Sequence, residues 1–380
     1  MRVALVAGEA SGDLLGAGLI EAIRCQIPDA KFEGVAGPAM IAAGCSRLAD
    51  AETLAVMGLI EPLAEIPRLL RLRRSLIRRW RASPPDVFVG IDAPDFNFGL
   101  EKALKKSGIR TAHYVSPSIW AWRAGRIKTI RKATDRVLCI LPFEKQIFDE
   151  QGIDAVFVGH PKADKLAIDI DGASARRMLD LEGRTVVAIL PGSRKSEVSR
   201  LGPIFAAAAA ILVAADPKLR FITPIASPQL RPLIEQQIAA AGVADMFTLI
   251  DGDSIEAMSA AHVVLLASGT AALESALLGK PTIAAYRIAE ISARIMDIFK
   301  LIKTPYFTLP NLLTEEPLVP ELIQWAVTPA AVAHEVSQML KDPERQAAIS
   351  QRFAKLHTEL ALDADKLAAD AVIELATSTS

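Results

Sequence analysis

Cysteine is scarce in this chain: Cys25, Cys45 and Cys139 are odd in number, widely spaced and without a C-x-x-C. That excludes a disulfide framework or a structural zinc site and points to a reducing compartment. Histidine is equally thin, five scattered residues, and no His/Asp/Glu grouping has metal-ligand spacing. An excess of one charge is missing too. With 43 basic and 44 acidic side chains the net charge is −1, so no global field draws the chain to nucleic acid, and a basic partner surface has to be local. Long apolar runs are also lacking. The run before Glu9 is too short for a signal peptide, and the uncharged alanine-rich stretch 203–215 is shorter than a spanning helix and reads as a tightly packed helix face. The expected setting is cytoplasmic. What is present is a chain of 380 residues, 51% hydrophobic and 23% charged, long enough for two cores and two domains.

Apolar strand-like runs recur at 3–7, 32–35, 87–91, 111–115, 136–140 and 155–158, separated by segments of helical pattern. The alternation restarts after the Asp/Gly/Ala-rich stretch 169–174, with runs at 186–190, 219–224, 247–250, 263–267 and 282–286. Repeated βαβ units of this kind predict an α/β protein: two doubly wound, Rossmann-like domains with the ligand cleft between them. We place the domains at 1–168 and 169–345, followed by a C-terminal segment, 346–380. The stretch near 344–375 reads as one helix.

Two glycine-containing loops carry most of the chemical signal: L-P-G-S-R at 190–194 and L-A-S-G-T-A-A-L-E at 266–274. Each follows a buried-strand pattern, and the second opens a helix. A strand, a small-residue turn and a helix start let the backbone approach an anion, with free N–H groups and the helix dipole aimed at it. Two such loops in one half-chain suggest a diphosphate gripped from two sides, by Gly192, Ser193 and Arg194 and by Ser268, Gly269 and Thr270. Arg194 can pair with phosphate in bidentate geometry, which accounts best for an arginine there, with a surface ion pair as the alternative. Glu274, one turn beyond Thr270, can take both hydroxyls of a ribose or be ordinary surface helix. D-G-D at 251–253 reads as a turn and a cap before Ser254 rather than as a metal clip. Asp251 and Ser254 remain candidate nucleotide contacts.

In the first half, V-A-G-E-A-S-G-D at 6–13 is a small-residue turn in which Ser11 could cap a helix; Glu9, Ser11 and Asp13 are candidate acceptor or sugar contacts. It lacks G-x-G-x-x-G, so a dinucleotide fingerprint is not supported. In G-I-D-A-P-D-F-N-F at 90–98, Asp92 ends a buried strand and is the candidate general base, with Asp95 or Asn97 structural. The loop H-Y-V-S-P-S-I-W-A-W-R at 113–123 gathers aromatics suited to a ligand platform or a domain contact, whereas His113 alone reads as a core histidine. The segment 66–81 holds seven arginines and no acid. At helical spacing Arg71, Arg74, Arg78 and Arg81 share one face and Leu69, Leu72, Leu76 and Trp80 the opposite one. That pattern fits a solvated helix or one lying on an anionic membrane.

Taken together and in order, these motifs, with L-A-V-M-G (54–58), L-P-F-E-K (141–145), G-H-P (159–161) and L-P-N-L-L (309–313), resemble lipid-A-disaccharide synthase, an inverting GT-B glycosyltransferase family. The resemblance implies transfer of 2,3-diacylglucosamine from its UDP conjugate to 2,3-diacylglucosamine 1-phosphate (lipid X), forming a β-1′,6 linkage and UDP. It implies Asp92 as base, Arg194 as essential cation and a last helix that crosses back to an N-terminal domain; Asn311 is a candidate sugar contact. No cofactor or metal is implied. The membrane reading of 66–81 gains weight, which would put the protein on the inner face of the cytoplasmic membrane, and the resemblance leaves room for a homodimer. A UDP-N-acetylglucosamine 2-epimerase of the same architecture and a non-catalytic nucleotide-binding module are the alternatives.

Overall fold

The strand-like runs become two parallel sheets in the computed structural model, which describes residues 1–55, 66–117, 124–167, 172–288 and 306–378. The chain divides into two units: residues 1–164 with 360–380, and residues 165–359.

Unit 1 contains β1 (Arg2–Ala7), β2 (Lys31–Ala36), β3 (Cys45–Asp50), β4 (Val87–Ile91), β5 (Arg110–Tyr114), β6 (Arg136–Cys139) and β7 (Ala155–Phe157). They lie in the order β3-β2-β1-β4-β5-β6-β7, all neighbours parallel. Successive side chains of a strand point to opposite faces, and here both faces are covered. Val3, Leu5 and Ala7 enter one core with Ile20, Ile23 and Met40, while Ala4 and Val6 enter a second with Leu69, Trp80 and Phe88. This is why the central strands read as unbroken apolar runs.

Unit 2 contains β8 (Thr185–Leu190), β9 (Leu219–Ile225), β10 (Phe247–Asp251), β11 (Val263–Ala267), β12 (Thr282–Tyr286) and β13 (Glu321–Ile323), in the order β10-β9-β8-β11-β12-β13. The strand order reverses between β1 and β4 in unit 1 and between β8 and β11 in unit 2. Those are the switch points where doubly wound sheets bind ligands, beyond the carboxyl ends of the strands.

Several sequence expectations are corrected. Strands β3 and β13 have no counterpart among the predicted runs; both are edge strands, and β3 buries only Cys45 fully. The single helix expected near 344–375 is two helices, Pro343–Leu360 and Ala364–Thr377, separated by a turn in which Asp363 has φ 60°. The break lets the last helix join unit 1: Ala368, Ala369, Val372 and Leu375 enter its first core. The Asp164 carboxylate accepts the N–H groups of Asp363 and Ala364, at 2.9 and 2.7 Å. The unit boundaries accordingly fall at 164/165 and 359/360 rather than at 168/169 and 345/346. The stretch 203–215 lies in the 21-residue helix Lys195–Ala215, long and apolar enough by composition to cross a membrane. In unit 2 that helix instead buries Val198, Leu201, Phe205, Ala208 and Leu212, packing on helices Arg231–Ala240 and Pro329–Lys341.

Candidate functional site

At the switch point of unit 2, the loops after β8 and β11 line one cavity of about 490 Å³. Gly192, Ser193, Arg194, Ser254, Ser268, Gly269, Thr270 and Glu274 all reach it, together with Pro224, Ala226, Gly252 and Glu197, which the sequence reading did not single out. Gly192 has φ 123°, a conformation that favours glycine, and a Cβ there would strike Glu197. Gly269 opens helix Thr270–Leu277 with no side-chain cap, and a Cβ on it would meet nothing within 4 Å. That helix start is thus a small, open concavity suited to an anion. Ser268 spends its N–H on the Ala285 carbonyl, so its hydroxyl is the group left for a ligand.

At the other loop the expectation of free N–H groups is corrected. Glu197, on the first turn of helix Lys195–Ala215, accepts the N–H groups of Ser193 and Arg194, at 3.1 and 3.3 Å. Its carboxylate sits where an external anion would, the usual arrangement of a capping box. The Arg194 side chain is 79% exposed and touches Glu197 at 3.4 Å. An exposed pair of that length holds the guanidinium loosely and leaves it available to a phosphate.

Asp251, by contrast, pairs with Arg231 at 2.7 Å and does not line the cavity. Asp253 is the cap of the next helix and accepts the N–H of Glu256 at 2.8 Å. Among the described residues no group of three His, Cys, Asp or Glu side chains could hold a metal ion.

In unit 1, Asp92 follows β4 and is half-buried, in a left-handed conformation (φ 49°) that its neighbour Ala93 shares (φ 43°). Its N–H donates to the Tyr114 carbonyl at 2.9 Å. Asp95 does not cap the helix Pro94–Lys105, whose cap is Ala93; it stands in the first turn and pairs with Arg126. Asn97 is fully buried, as is the Glu101–His113 pair, joined at 2.7 Å. Burial pushes the Glu101 carboxyl above its usual range, against the opposing pull of His113.

Two candidate contacts and one candidate cap turn out differently. Asp13 is buried and accepts the N–H groups of Gly37, Ala39 and Met40, at 2.8, 2.8 and 3.1 Å, so it orders the start of helix Pro38–Ala42. Asn311 is 1% exposed. Its amide bonds the Val319 carbonyl and Glu321, at 2.8 and 2.9 Å, and its oxygen accepts the Val319 N–H at 2.8 Å. It locks a turn, with both amide hydrogens committed to the protein. Ser11 does not cap; helix Ala10–Gln26 starts after Glu9, and Glu9 and Ser11 are both exposed.

The apolar face assigned to a membrane is corrected as well. Leu69, Leu76 and Trp80 are buried in the second core of unit 1, with Leu72 packed against it. Trp80 donates its indole N–H to Glu33 at 2.8 Å. Arg71, Arg74, Arg78 and Arg81 do stay on the outer face of helix Ile66–Ala82, lining a shallow groove with Leu72, Ser75, Ile77 and Ala103. The tryptophans of the 113–123 loop and most of the L-A-V-M-G motif lie outside the described residues.

Comparison with known proteins bears on the whole chain. The family model for lipid-A-disaccharide synthetase matches residues 3–372. A lipid-A-disaccharide synthase of Alkalilimnicola ehrlichii is 48% identical over 379 residues, covering 99% of each chain. One from Pseudomonas aeruginosa is 48% identical over 377 residues, covering 99% of this chain and 98% of its own. Among solved structures, a glycosyltransferase from Rickettsia africae superposes with a TM-score of 0.63 at 11% identity, over 100% of this chain and 99% of its own. A UDP-GlcNAc 2-epimerase from Neisseria meningitidis bound to UDP-GlcNAc does so with 0.64 at 15%, over 98% of this chain and 100% of its own. At such identities the structures share the fold alone, the two-domain GT-B architecture.

Proposed function

The chain belongs to the lipid-A-disaccharide synthase family, and from that premise we propose how its residues divide the work of a glycosyl transfer. The enzyme takes a nucleotide sugar, UDP-2,3-diacylglucosamine, and lipid X as substrates. Unit 2 holds the UDP portion. The observation that carries this reading is the convergence of two strand–turn–helix loops, one cation and one carboxylate on a single cavity at the switch point of its sheet.

Attack of the lipid X 6-hydroxyl on the donor's anomeric carbon forms the new C–O bond as the bond to the diphosphate breaks. Asp92 takes the hydroxyl proton. Charge grows on the departing UDP, where Arg194, the Ser268 and Thr270 hydroxyls and the start of helix Thr270–Leu277 offset it. With cationic and dipolar groups supplying that stabilisation, no metal is required, and turnover should persist in EDTA. A single displacement inverts the anomeric centre, and no enzyme nucleophile takes part. Glu274 holds the ribose.

The arginine face of helix Ile66–Ala82 supports a second part of the proposal: contact with anionic headgroups at the inner face of the cytoplasmic membrane, through charge rather than buried leucines.

Calorimetric titration tests the nucleotide half. Arg194→Ala should weaken UDP about tenfold or more while leaving uridine nearly unchanged, and Glu274→Ala should weaken both. Equal losses for UDP and uridine in Arg194→Ala would remove Arg194 from the diphosphate.

A further inference from the structure

A buried polar set lies behind Asp92 that the glycosyl transfer, as described, does not use. Asp92 and Ala93 are consecutive non-glycine residues at positive φ, which the chain adopts only where its surroundings enforce it. The enforcement is specific. The Asn97 side-chain amide donates to the carbonyls of Asp92, Val6 and Ile91, at 2.8, 3.3 and 3.4 Å, so one NH₂ group spans the carboxyl ends of β1 and β4 and the turn itself. From the other side the Asp92 N–H is held by Tyr114 at the end of β5. Gly8, at the end of β1, permits the approach: a Cβ there would lie 2.5 Å from that of Ala93.

One helical turn beyond Asn97, Glu101 reaches across Gly90 to His113, the residue paired with Gly90 in the β4–β5 register. A Cβ on Gly90 would collide with the Glu101 carboxylate and press on Asn97. The set is not fully satisfied. Asn97 Oδ1, Glu101 Oε2 and His113 Nε2 are buried without a hydrogen-bond partner among the described residues. Apolar side chains of the same size would avoid that desolvation cost, so stability alone does not account for three polar groups here. Asn97 holds the left-handed turn at the switch point of the sheet, and the Glu101–His113 pair lies behind it, across Gly90.

We propose that Asn97, supported by the Glu101–His113 pair, is the positioning residue for the base of this reaction. The inference rests on the reading of Asp92 as that base. A carboxylate displaced by about 1 Å loses on the order of 10²-fold in rate. Asn97→Ala should therefore lower kcat by about 10²-fold. The lipid X KM and the UDP dissociation constant should stay within about twofold of the parent, because the contacts that bind those ligands are untouched. On an Asp92→Asn background, Asn97→Ala should cost little more, since the group it aims is gone.

A normal kcat for Asn97→Ala beside a slow Asp92→Asn would overturn the positioning role, as would two losses that multiply in the double variant. A normal kcat for Asp92→Asn would instead overturn the base assignment. If Asn97→Ala fails to fold, Glu101→Leu carries the test. Its kcat should fall about tenfold, and Glu101→Gln, which keeps the bond to His113, should recover to within about threefold of the parent. Turnover of Glu101→Leu equal to that of the parent overturns the proposal.

Discussion

Glu197 occupies with its own carboxylate the N–H groups that a diphosphate would use. At the proposed site UDP would have to compete with an internal anion or bind beside it, and either way the carboxylate's charge opposes the ligand. Glu197→Gln keeps the cap and removes the charge, so UDP should bind several-fold more tightly, with uridine unchanged. Titration of both ligands against both proteins reads this, and weaker UDP binding in the variant would show that the carboxylate orders the loop rather than competing with the ligand. Asn311 makes the opposite case. Its three bonds are all internal, so Asn311→Ala should lower unfolding stability in urea by about 1–3 kcal/mol. A stable Asn311→Ala with impaired sugar binding would restore it to the site. Sequence alone brought out the glycine loops, Arg194 and Glu274, because small residues between a strand and a helix have few other uses. It could not separate Asp13 and Asn311 from ligand contacts, since a polar side chain in a turn looks the same whether its partner is a ligand or backbone N–H groups distant in the chain.

Helix Ile66–Ala82 shows what periodicity settles and what it leaves open. Its two faces were legible, but an apolar stripe is equally suited to a core or to a lipid, and here Trp80 and its leucines fill a core. The membrane contact proposed for the arginine face is therefore an electrostatic one, each arginine contributing about 1 kcal/mol near an anionic surface. Replacing Arg71, Arg74 and Arg78 with serine should reduce partitioning onto phosphatidylglycerol vesicles by roughly 10²-fold, with parent binding lost at high salt. A variant that sediments like the parent would place the contact elsewhere. The G-H-P motif acts at the same scale. Gly159 (φ 84°) packs beneath Leu360 and Leu362, and the His160 N–H bonds the Leu360 carbonyl at 2.8 Å, docking the C-terminal segment within unit 1. Burial pushes the His160 imidazole down to about 4, from 6.5. An unfolded chain then takes up this proton before the folded one does. The contribution is complete above pH 6.5 and lost as pH falls toward 4, by up to about 3 kcal/mol. Denaturant unfolding across that window should be less pH-dependent in His160→Asn, and an unchanged slope would assign the loss to other groups.

Across the whole molecule, the doubly wound halves were legible because parallel strands covered on both faces leave unbroken apolar runs, as 87–91 and 186–190 do. The half-covered edge strands β3 and β13 leave no such run, and the turn at Asp363 that divides the final helix owes its geometry to Asp164, about two hundred residues earlier in the chain. In the proposed reaction this chain joins a UDP-activated diacyl sugar to lipid X with Asp92 as base. That proposal is tested most directly by measuring UDP released from UDP-2,3-diacylglucosamine, with and without lipid X, in the parent and in Asp92→Asn. Release should depend on lipid X, yield the disaccharide, and fall by about 10²–10⁴-fold in Asp92→Asn with UDP affinity preserved. Release independent of lipid X, or undiminished in Asp92→Asn, would contradict it.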